Sequence, residues 1–351
     1  MNFFVNKCSF YGYGIKHASE AAYYHLFCAT IFKKELTIFT EKSNQYSGIK
    51  NAVCTFSNQQ VNAHMAGKPS GNKCIVLEGG GLRCNFTAGV LDFLLDHNFS
   101  FDRIVGASAG ICAGASYASK QAGRNYVVNV VYPSAKNYMG VRCLITGFSY
   151  FNMDFIFREI PENIYPFDSK ALFKNPAEFD VVATSLETGE SVVFGKKEIK
   201  KYGILPCLQA SSSIPFMSKP VSIDGRLYYD GGVADSIPVN YAMMKHKKAV
   251  AVLTRPLGYS KPPSGLPALT KLFFRKYPKF ANTLINRNKN YNESLELCRK
   301  LHSEGRLFII APDAEYKIGR TEKDIMLRER VYRHGYELMK QKFDKMKKFL
   351  K

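Results

Sequence analysis

Residues 73–114 have the sequence KCIVLEGGGLRCNFTAGVLDFLLDHNFSFDRIVGASAGICAG, around which the rest of the chain is organised. The apolar run 75–77 is long enough for a buried strand, and Gly79–Gly81 interrupts it. Over residues 86–95 the apolar side chains recur at helical spacing. This first half therefore predicts a strand, a glycine turn and a helix.

The second half of the stretch repeats the pattern with a different turn. A short strand over residues 103–105 leads into Gly106-Ala-Ser108-Ala-Gly110, and a helix of small residues is expected over 111–121. A Gly-x-Ser-x-Gly run between a strand and a helix forms a sharp elbow that presents the serine at the helix N-terminus. The pattern thus indicates that Ser108 is a nucleophile toward a carbonyl carbon.

The first turn can supply what such a nucleophile requires. Gly79, Gly80 and Gly81 expose backbone N–H groups that can hold the oxyanion of a tetrahedral intermediate. A glycine turn after a strand can instead bind a nucleotide phosphate. The missing Lys-Ser/Thr pair after the glycines argues against this alternative.

Composition limits the classes of partner. The chain has 351 residues, of which 46% are hydrophobic, and a formal net charge of +20. Such a charge favours an anionic partner, either a membrane surface or nucleic acid. No nucleic-acid-binding motif and no C-x-x-C metal pair occurs, so an anionic membrane surface is the partner that we expect, with no nucleic acid and no metal.

Cysteine usage and hydropathy bear on the compartment. The nine cysteines are odd in number and lack paired spacing, which is typical of reduced cytosolic thiols. The longest apolar N-terminal run, residues 21–32, falls short of the ~20 residues of a spanning helix. We therefore expect a cytoplasmic protein that is at most peripheral to a membrane.

The chain divides into three parts by sequence pattern. Residues 1–64 show no sustained period and contribute only +3 of the net charge, so we expect a poorly structured extension, with Met65 as an alternative start. Residues 72–254 carry the motifs and form the expected catalytic domain. Residues 255–351 are predicted to be mainly helical and to pack on that domain.

Strands alternate with helices through the rest of the chain. Hairpins are predicted at residues 179–194 and around Asp224-Gly225, and another buried strand at 249–253. This alternation predicts a three-layer α/β/α sandwich with a mostly parallel central sheet and a C-terminal helical extension. The basic helix 322–351 carries an apolar stripe that should dock on the body of the protein.

Two features leave alternatives open. The segment 122–175 is rich in aromatic residues, which fit core packing better than an acyl-binding surface or lid.

The serine nucleophile also needs a base. Among the histidines outside the N-terminal segment, His246 is the candidate that we consider. His246 lies in a lysine-rich helix tail, whereas Asp230 ends a predicted strand and is followed by Gly231 and Gly232. A carboxylate so placed can take the serine proton directly.

The motifs together resemble those of the patatin-like phospholipase family. Glu-Gly-Gly-Gly-Leu-Arg (78–83) is similar to its oxyanion loop, and Gly-Ala-Ser-Ala-Gly (106–110) to its serine elbow. Ala-Ser-Ser-Ser-Ile-Pro (210–215) and the segment 224–238 resemble its second half, which carries the Asp-Gly-Gly motif. The segment 311–320 resembles a bacterial subgroup of the family.

The resemblance implies a Ser108–Asp230 dyad that hydrolyses acyl esters of lipids without a cofactor or metal. It also implies oxyanion donors at Gly79, Gly80 and Gly81, with Arg83 steadying the loop or meeting an anionic headgroup. Cys84 replaces a glycine that is frequent in the family's loop. Two alternatives remain at this point: a Ser-His-Asp carboxylesterase and a non-catalytic protein that binds anionic lipid.

Overall fold

The structure is a computed structural model that describes residues 73–147, 149–263 and 266–351. The expectations for residues 1–64 and for a start at Met65 lie outside these residues. Along the described part of the chain, no helix combines the length and the apolar character needed to cross a membrane.

A single sheet runs through the described residues. Its eight strands are β1 (Cys74–Leu77), β2 (Arg103–Ala107), β3 (Glu178–Ser185), β4 (Ser191–Phe194), β5 (Val221–Ile223), β6 (Arg226–Asp230), β7 (Ala249–Val252) and β8 (Leu307–Ile310). The strand order is β5-β6-β3-β2-β1-β7-β8, with β4 also paired to β3. The neighbouring strands β3, β2, β1, β7 and β8 are parallel to one another. Strands β4, β5 and β6 are antiparallel to their neighbours. The mostly parallel sheet predicted from the sequence is confirmed.

Helices cover both faces of the sheet. They are α1 (Asn85–Asp96), α2 (Ser108–Ala118), α3 (Val141–Gly147), α4 (Ser169–Lys174), α5 (Lys196–Tyr202), α6 (Ile204–Ser212), α7 (Val239–Met243), α8 (Pro267–Phe273), α9 (Pro278–Ile285), α10 (Arg287–Ser303) and α11 (Ile325–Leu350). Further helical segments are Gly81–Cys84, Arg124–Tyr126, Val127–Val131, Tyr132–Ser134, Phe155–Ile164 and Gly231–Val233.

Alternate residues of the central strands enter two separate cores. In β1, Ile75 and Leu77 pack with α1, α2, α6 and α11, whereas Cys74 and Val76 pack with α7 and α10. Successive side chains of a strand point to opposite faces, so fully buried strands of this kind require a helical layer on each side. The three-layer α/β/α sandwich is therefore confirmed.

Strand β3 positions the site because two strands share one of its edges. β2 pairs with β3 as far as Ala107 opposite Val182, and β6 begins its pairing with Asp230 opposite Ala183. β4 pairs with Val181–Thr184 and overlaps both registers, so it must occupy the other edge. The end of β2 therefore meets the end of β6 at adjacent positions of β3.

The long helix α11 packs along α1. Gly89 of α1 and Gly335 of α11 face each other's backbones, since a Cβ at either position would overlap a carbonyl oxygen of the opposing helix. The Tyr332 hydroxyl donates to Asp92 Oδ2 at 2.7 Å, and Met339 is fully buried. The apolar stripe of the predicted C-terminal helix thus lies against the sandwich.

Most predicted elements appear within a few residues of their expected bounds. The helical region expected up to residue 302 is divided into α8, α9 and α10, two of which begin at a proline. In the aromatic segment Tyr138, Tyr150, Phe151 and Phe155 are buried, which favours core packing for these four residues.

Candidate active site

Ser108 stands at the junction of β2 and α2. Its φ of +53° is uncommon for a residue with a side chain and makes the turn sharp. Its N–H donates to Ser211 Oγ at 2.8 Å, and the Ser211 hydroxyl donates to the Val182 carbonyl at 2.5 Å. The elbow is thus tied to β3 through Ser211, a residue that the sequence analysis did not single out although it lies in the quoted 210–215 motif.

The elbow glycines allow β1 to approach the serine closely. A Cβ on Gly106 would lie 2.8 Å from the Leu77 carbonyl oxygen, and one on Gly110 would overlap the Glu78 carbonyl oxygen. Real Cβ atoms do not approach backbone oxygens so closely, so both positions require glycine. The strand that ends in the glycine loop is thereby held against the serine.

Asp230 reaches Ser108 across the shared edge of β3. The Ser108 hydroxyl donates to Asp230 Oδ2 at 2.6 Å, and both residues are buried. The Gly232 N–H donates to Asp230 Oδ1 at 2.7 Å, which fixes the carboxylate plane. Gly231 lies so close to the Val182 carbonyl that a Cβ there would overlap it. The structure therefore brings together the serine and the carboxylate predicted from the sequence.

The charge state of Asp230 is set by two opposing effects. Burial raises the pKa of the carboxyl group above its ordinary value because the charged form loses hydration. The Arg287 cation, the Ser108 hydroxyl and the Gly232 N–H favour the carboxylate and limit the rise. A carboxylate with a raised pKa is a stronger base toward the serine hydroxyl.

The glycine loop lies directly against the serine. A Cβ on Gly79 would be 3.1 Å from Ser108 Cβ, but the Gly79 N–H donates to the Ser236 carbonyl at 3.0 Å. The N–H groups of Gly80 and Gly81 have no backbone acceptor among the described residues. Of the three glycines predicted to form the oxyanion hole, Gly80 and Gly81 are thus the two whose N–H groups are not engaged by a backbone acceptor in the described part of the chain.

The Glu78 side chain anchors the start of the glycine loop to neighbouring segments. Its Oε2 accepts from the Thr254 N–H at 2.6 Å and its Oε1 from the Tyr291 hydroxyl at 3.0 Å. Burial raises the pKa of this carboxyl group. The Cys84 thiol donates to the Glu78 carbonyl at 3.5 Å, so the side chain that replaces a family glycine is buried inside the loop.

His246 does not reach the serine. It accepts a hydrogen bond from Arg103 Nε at 3.1 Å, and Arg103 begins β2 whereas Ser108 follows its end. Five residues of strand correspond to about 16 Å. The structure places this histidine at the opposite end of the strand, which argues against the Ser108–His246 alternative. In the described residues there is also no cluster of three or more His, Cys, Asp or Glu side chains suited to a metal ion.

One known protein family matches the part of the chain that holds this site. The model of the patatin-like phospholipase family matches residues 75–243, which include the glycine loop, the serine elbow and Asp230. The chain carries a patatin-like phospholipase domain. Behind this patatin-like domain, residues 277–351 match a domain of unknown function, DUF6363.

Two curated proteins are similar to the chain over the patatin-like domain. The chain is 29% identical to the uncharacterised protein YjjU of Escherichia coli over 195 residues, which are 52% of each chain. It is 25% identical over 183 residues to an uncharacterised NTE family protein of Mycobacterium tuberculosis, covering 49% of this chain and 46% of that protein. The chain thus spans about half the length of the curated relatives that it matches.

Among solved structures, VipD from Legionella pneumophila aligns with 79% of this chain and 67% of its own, with a TM-score of 0.47 and 13% sequence identity.

Two cations near the dyad were not singled out by the sequence analysis. Arg287 donates to the Gly232 carbonyl, and the Arg320 carbonyl accepts from the Leu82 N–H at 3.0 Å. Both come from segments beyond the patatin-like match. Arg320 lies in the quoted 311–320 segment, but no sequence pattern indicates that it contacts the glycine loop.

Proposed function

We propose that the protein is a serine acyl hydrolase that acts on lipid esters of carboxylic acids. The observation that carries the proposal is the 2.6 Å hydrogen bond from the Ser108 hydroxyl to Asp230, formed beside a glycine loop in which the Gly80 and Gly81 N–H groups have no backbone acceptor among the described residues. A nucleophile, a base and oxyanion donors in one place are the requirements of acyl transfer. The match of residues 75–243 to the patatin-like phospholipase family supports a lipid ester as the substrate.

The first half of the reaction would form an acyl-enzyme. Asp230 takes the Ser108 proton while Oγ attacks the ester carbonyl carbon, and Gly80 and Gly81 stabilise the oxyanion through their N–H groups. As the tetrahedral intermediate collapses, the C–O bond to the alcohol breaks. The proton on Asp230 passes to the leaving alkoxide, which departs as the alcohol.

The second half would return the enzyme to its starting state. Water attacks the acyl carbon and gives its proton to Asp230. The bond from that carbon to Ser108 Oγ then breaks, the carboxylic acid departs, and the proton on Asp230 returns to the serine. No charge or proton is gained or lost over the cycle, so Ser108 and Asp230 together account for every proton transfer.

Labelling with a fluorophosphonate tests the proposal directly. Wild-type protein should be labelled on Ser108, Ser108→Ala should not be labelled, and Asp230→Asn should react about 100- to 10,000-fold more slowly because the base is lost. Ser222→Ala and Asp224→Asn are matched controls, since both side chains lie at the exposed β5–β6 hairpin, and both variants should react like wild type.

Hydrolysis of p-nitrophenyl esters and phospholipids by the same variants should follow the labelling. A wild-type protein that binds anionic vesicles but neither reacts with the probe nor hydrolyses any ester would contradict the proposal and favour a non-catalytic lipid-binding role. Full activity in Asp230→Asn together with loss of activity in His246→Ala would instead favour a histidine-based esterase.

A further inference from the structure

Five basic side chains gather around the dyad and the glycine loop. They are Arg83 of the loop itself and Arg255, Lys261, Arg287 and Arg320 from segments that follow β7. Each interacts electrostatically with at least two others of the group. The cluster is thus built mainly by the part of the chain that lies beyond the patatin-like match.

Backbone contacts bring this cluster to the site. The Arg320 carbonyl accepts from Leu82 of the loop, and a Cβ on Gly81 would lie 3.3 Å from the Arg320 Cβ. The Arg287 guanidinium donates to the Gly232 carbonyl, two residues beyond the catalytic carboxylate. The cations therefore border both halves of the proposed catalytic apparatus.

Most of these cations have no hydrogen-bonding or ion-pairing partner in the part of the chain that the structure describes. The side chains of Arg83, Arg255, Lys261 and Arg320 form no hydrogen bond or ion pair with any described residue. Arg83 is 7% exposed, and its Nε is fully buried without an acceptor among those residues. A buried guanidinium nitrogen without an acceptor is costly, so an anion that entered the site would satisfy it.

The remaining contacts hold the cations without neutralising them. Lys261 Nζ lies 4.3 Å from the centre of the Tyr291 ring, and the Arg255 guanidinium lies 4.5 Å from that of Tyr259. Among the described residues, the acidic groups that interact with the cluster are Glu78 and Asp230, which are fewer than its four arginines.

Two pKa values reflect both burial and the neighbouring positive charge. Burial and the neighbouring cations lower the pKa of Lys261 to about 6 and that of Arg83 to about 10. Each cation thus disfavours the next, and a bound anion would reverse this effect.

We propose that Arg83, Arg255, Lys261, Arg287 and Arg320 form a subsite for a phosphate group carried by the substrate, so that the enzyme prefers acyl esters with a dianionic phosphate. The proposal rests on the proposed hydrolase function and names its substrate class. Several planar guanidinium groups suit the oxygens of a phosphate monoester, each of which can accept more than one hydrogen bond. A zwitterionic headgroup would bring its own cation into a site that already repels cations.

Binding can be measured without turnover in the Ser108→Ala protein. Calorimetric titration should show that short-chain dioctanoyl phosphatidic acid binds at least tenfold more tightly than dioctanoyl phosphatidylcholine. Adding Arg320→Gln should weaken phosphatidic acid binding about tenfold, the effect of losing one charged hydrogen bond. Arg330→Gln, an exposed charge on α11, is the matched control and should leave the affinity unchanged.

Hydrolysis by the otherwise wild-type protein is the second readout. The ratio of kcat/KM for phosphatidic acid to that for phosphatidylcholine should fall about tenfold in Arg320→Gln and stay constant in Arg330→Gln. If inorganic phosphate inhibits p-nitrophenyl butyrate hydrolysis competitively and Arg320→Gln relieves the inhibition, the subsite also accepts phosphate free of a lipid.

The two proposals can fail separately. Equal binding of the two lipids, or affinity for phosphatidic acid that Arg320→Gln does not change, would overturn the phosphate subsite even if the protein hydrolyses esters. Absence of hydrolysis and of probe labelling in a protein that binds phosphatidic acid through Arg320 would overturn the hydrolase and keep the subsite.

Discussion

At the scale of single residues, the proposed reaction depends most on the charge state of Asp230. It must be ionised to accept the serine proton, yet it is buried next to Ser108. Arg287 and the Gly232 N–H favour its ionised form, whereas the loss of water opposes it. The balance between these effects should be visible in the pH dependence of the reaction.

We expect the acid limb of kcat/KM for a neutral soluble ester to lie above the ordinary aspartate value of 3.8. The protonated carboxyl cannot accept a proton, so activity rises with pH through the raised pKa of Asp230. Arg287→Gln removes a cation that favours the carboxylate, and the limb should therefore move to higher pH. The pH profile of p-nitrophenyl butyrate hydrolysis is the measurement.

Arg287→Lys keeps the positive charge and is the control for this prediction. Its limb should remain near that of the wild type even if its overall rate is lower. A limb in Arg287→Gln that stays in place or moves to lower pH would show that Arg287 does not act on Asp230 through its charge.

At the scale of elements, strand β3 joins the two halves of the site. Along one edge of β3, β2 pairs with residues up to Val182, and β6 pairs with residues from Ala183 onward. Ser108, which follows β2, therefore meets Asp230, which ends β6. Ser108 and Asp230 are 122 positions apart in the chain. The dyad is thus a consequence of strand register, and a one-residue slip of β6 would turn Asp230 to the other face of the sheet.

The crossing of α1 and α11 gives a stability prediction. Gly89→Ala should lower the free energy of unfolding by about 1–3 kcal/mol or more, because the added methyl group meets the Tyr332 carbonyl and forces the helices apart. Equilibrium unfolding in urea measures the effect.

Gly147→Ala is the matched control for the helix crossing. It is also a helical glycine, but a Cβ there meets no atom within 4 Å. It should be neutral or stabilise the protein by up to about 1 kcal/mol through helix propensity. Equal effects of the two substitutions would contradict the role given to the crossing.

At the scale of the whole molecule, the region after β7 contributes to both the core and the site. Helix α10 closes one face of the sheet and carries Arg287 and Tyr291, while α11 covers α1 on the other face. The region also adds to the net charge of +20, which should attract the molecule to anionic surfaces before any substrate enters the site.

Association with anionic vesicles should therefore depend on salt. The fraction of Ser108→Ala protein that floats with phosphatidylglycerol vesicles should fall as salt rises from about 0.05 to about 0.5 M, because the screening length shortens to a few ångströms. Vesicles of phosphatidylcholine alone are the control and should bind little at either concentration. Binding that is equal for both lipids, or insensitive to salt, would show that surface charge does not drive association.

Local patterns in the chain were sufficient to predict the strands, the two turns and the three layers, but not the helices within residues 122–175 or the helix α5. Hydrophobic period and glycine position act through short-range sterics, which neighbouring residues determine. The pairing of Ser108 with Asp230 also followed from a family resemblance. The engagement of the Gly79 N–H by Ser236, the distance of His246 from the serine and the gathering of Arg287 and Arg320 around the loop appear only in the folded chain. These contacts depend on which strands pair and in which register, and that choice results from packing of the entire core rather than from any local stretch of sequence.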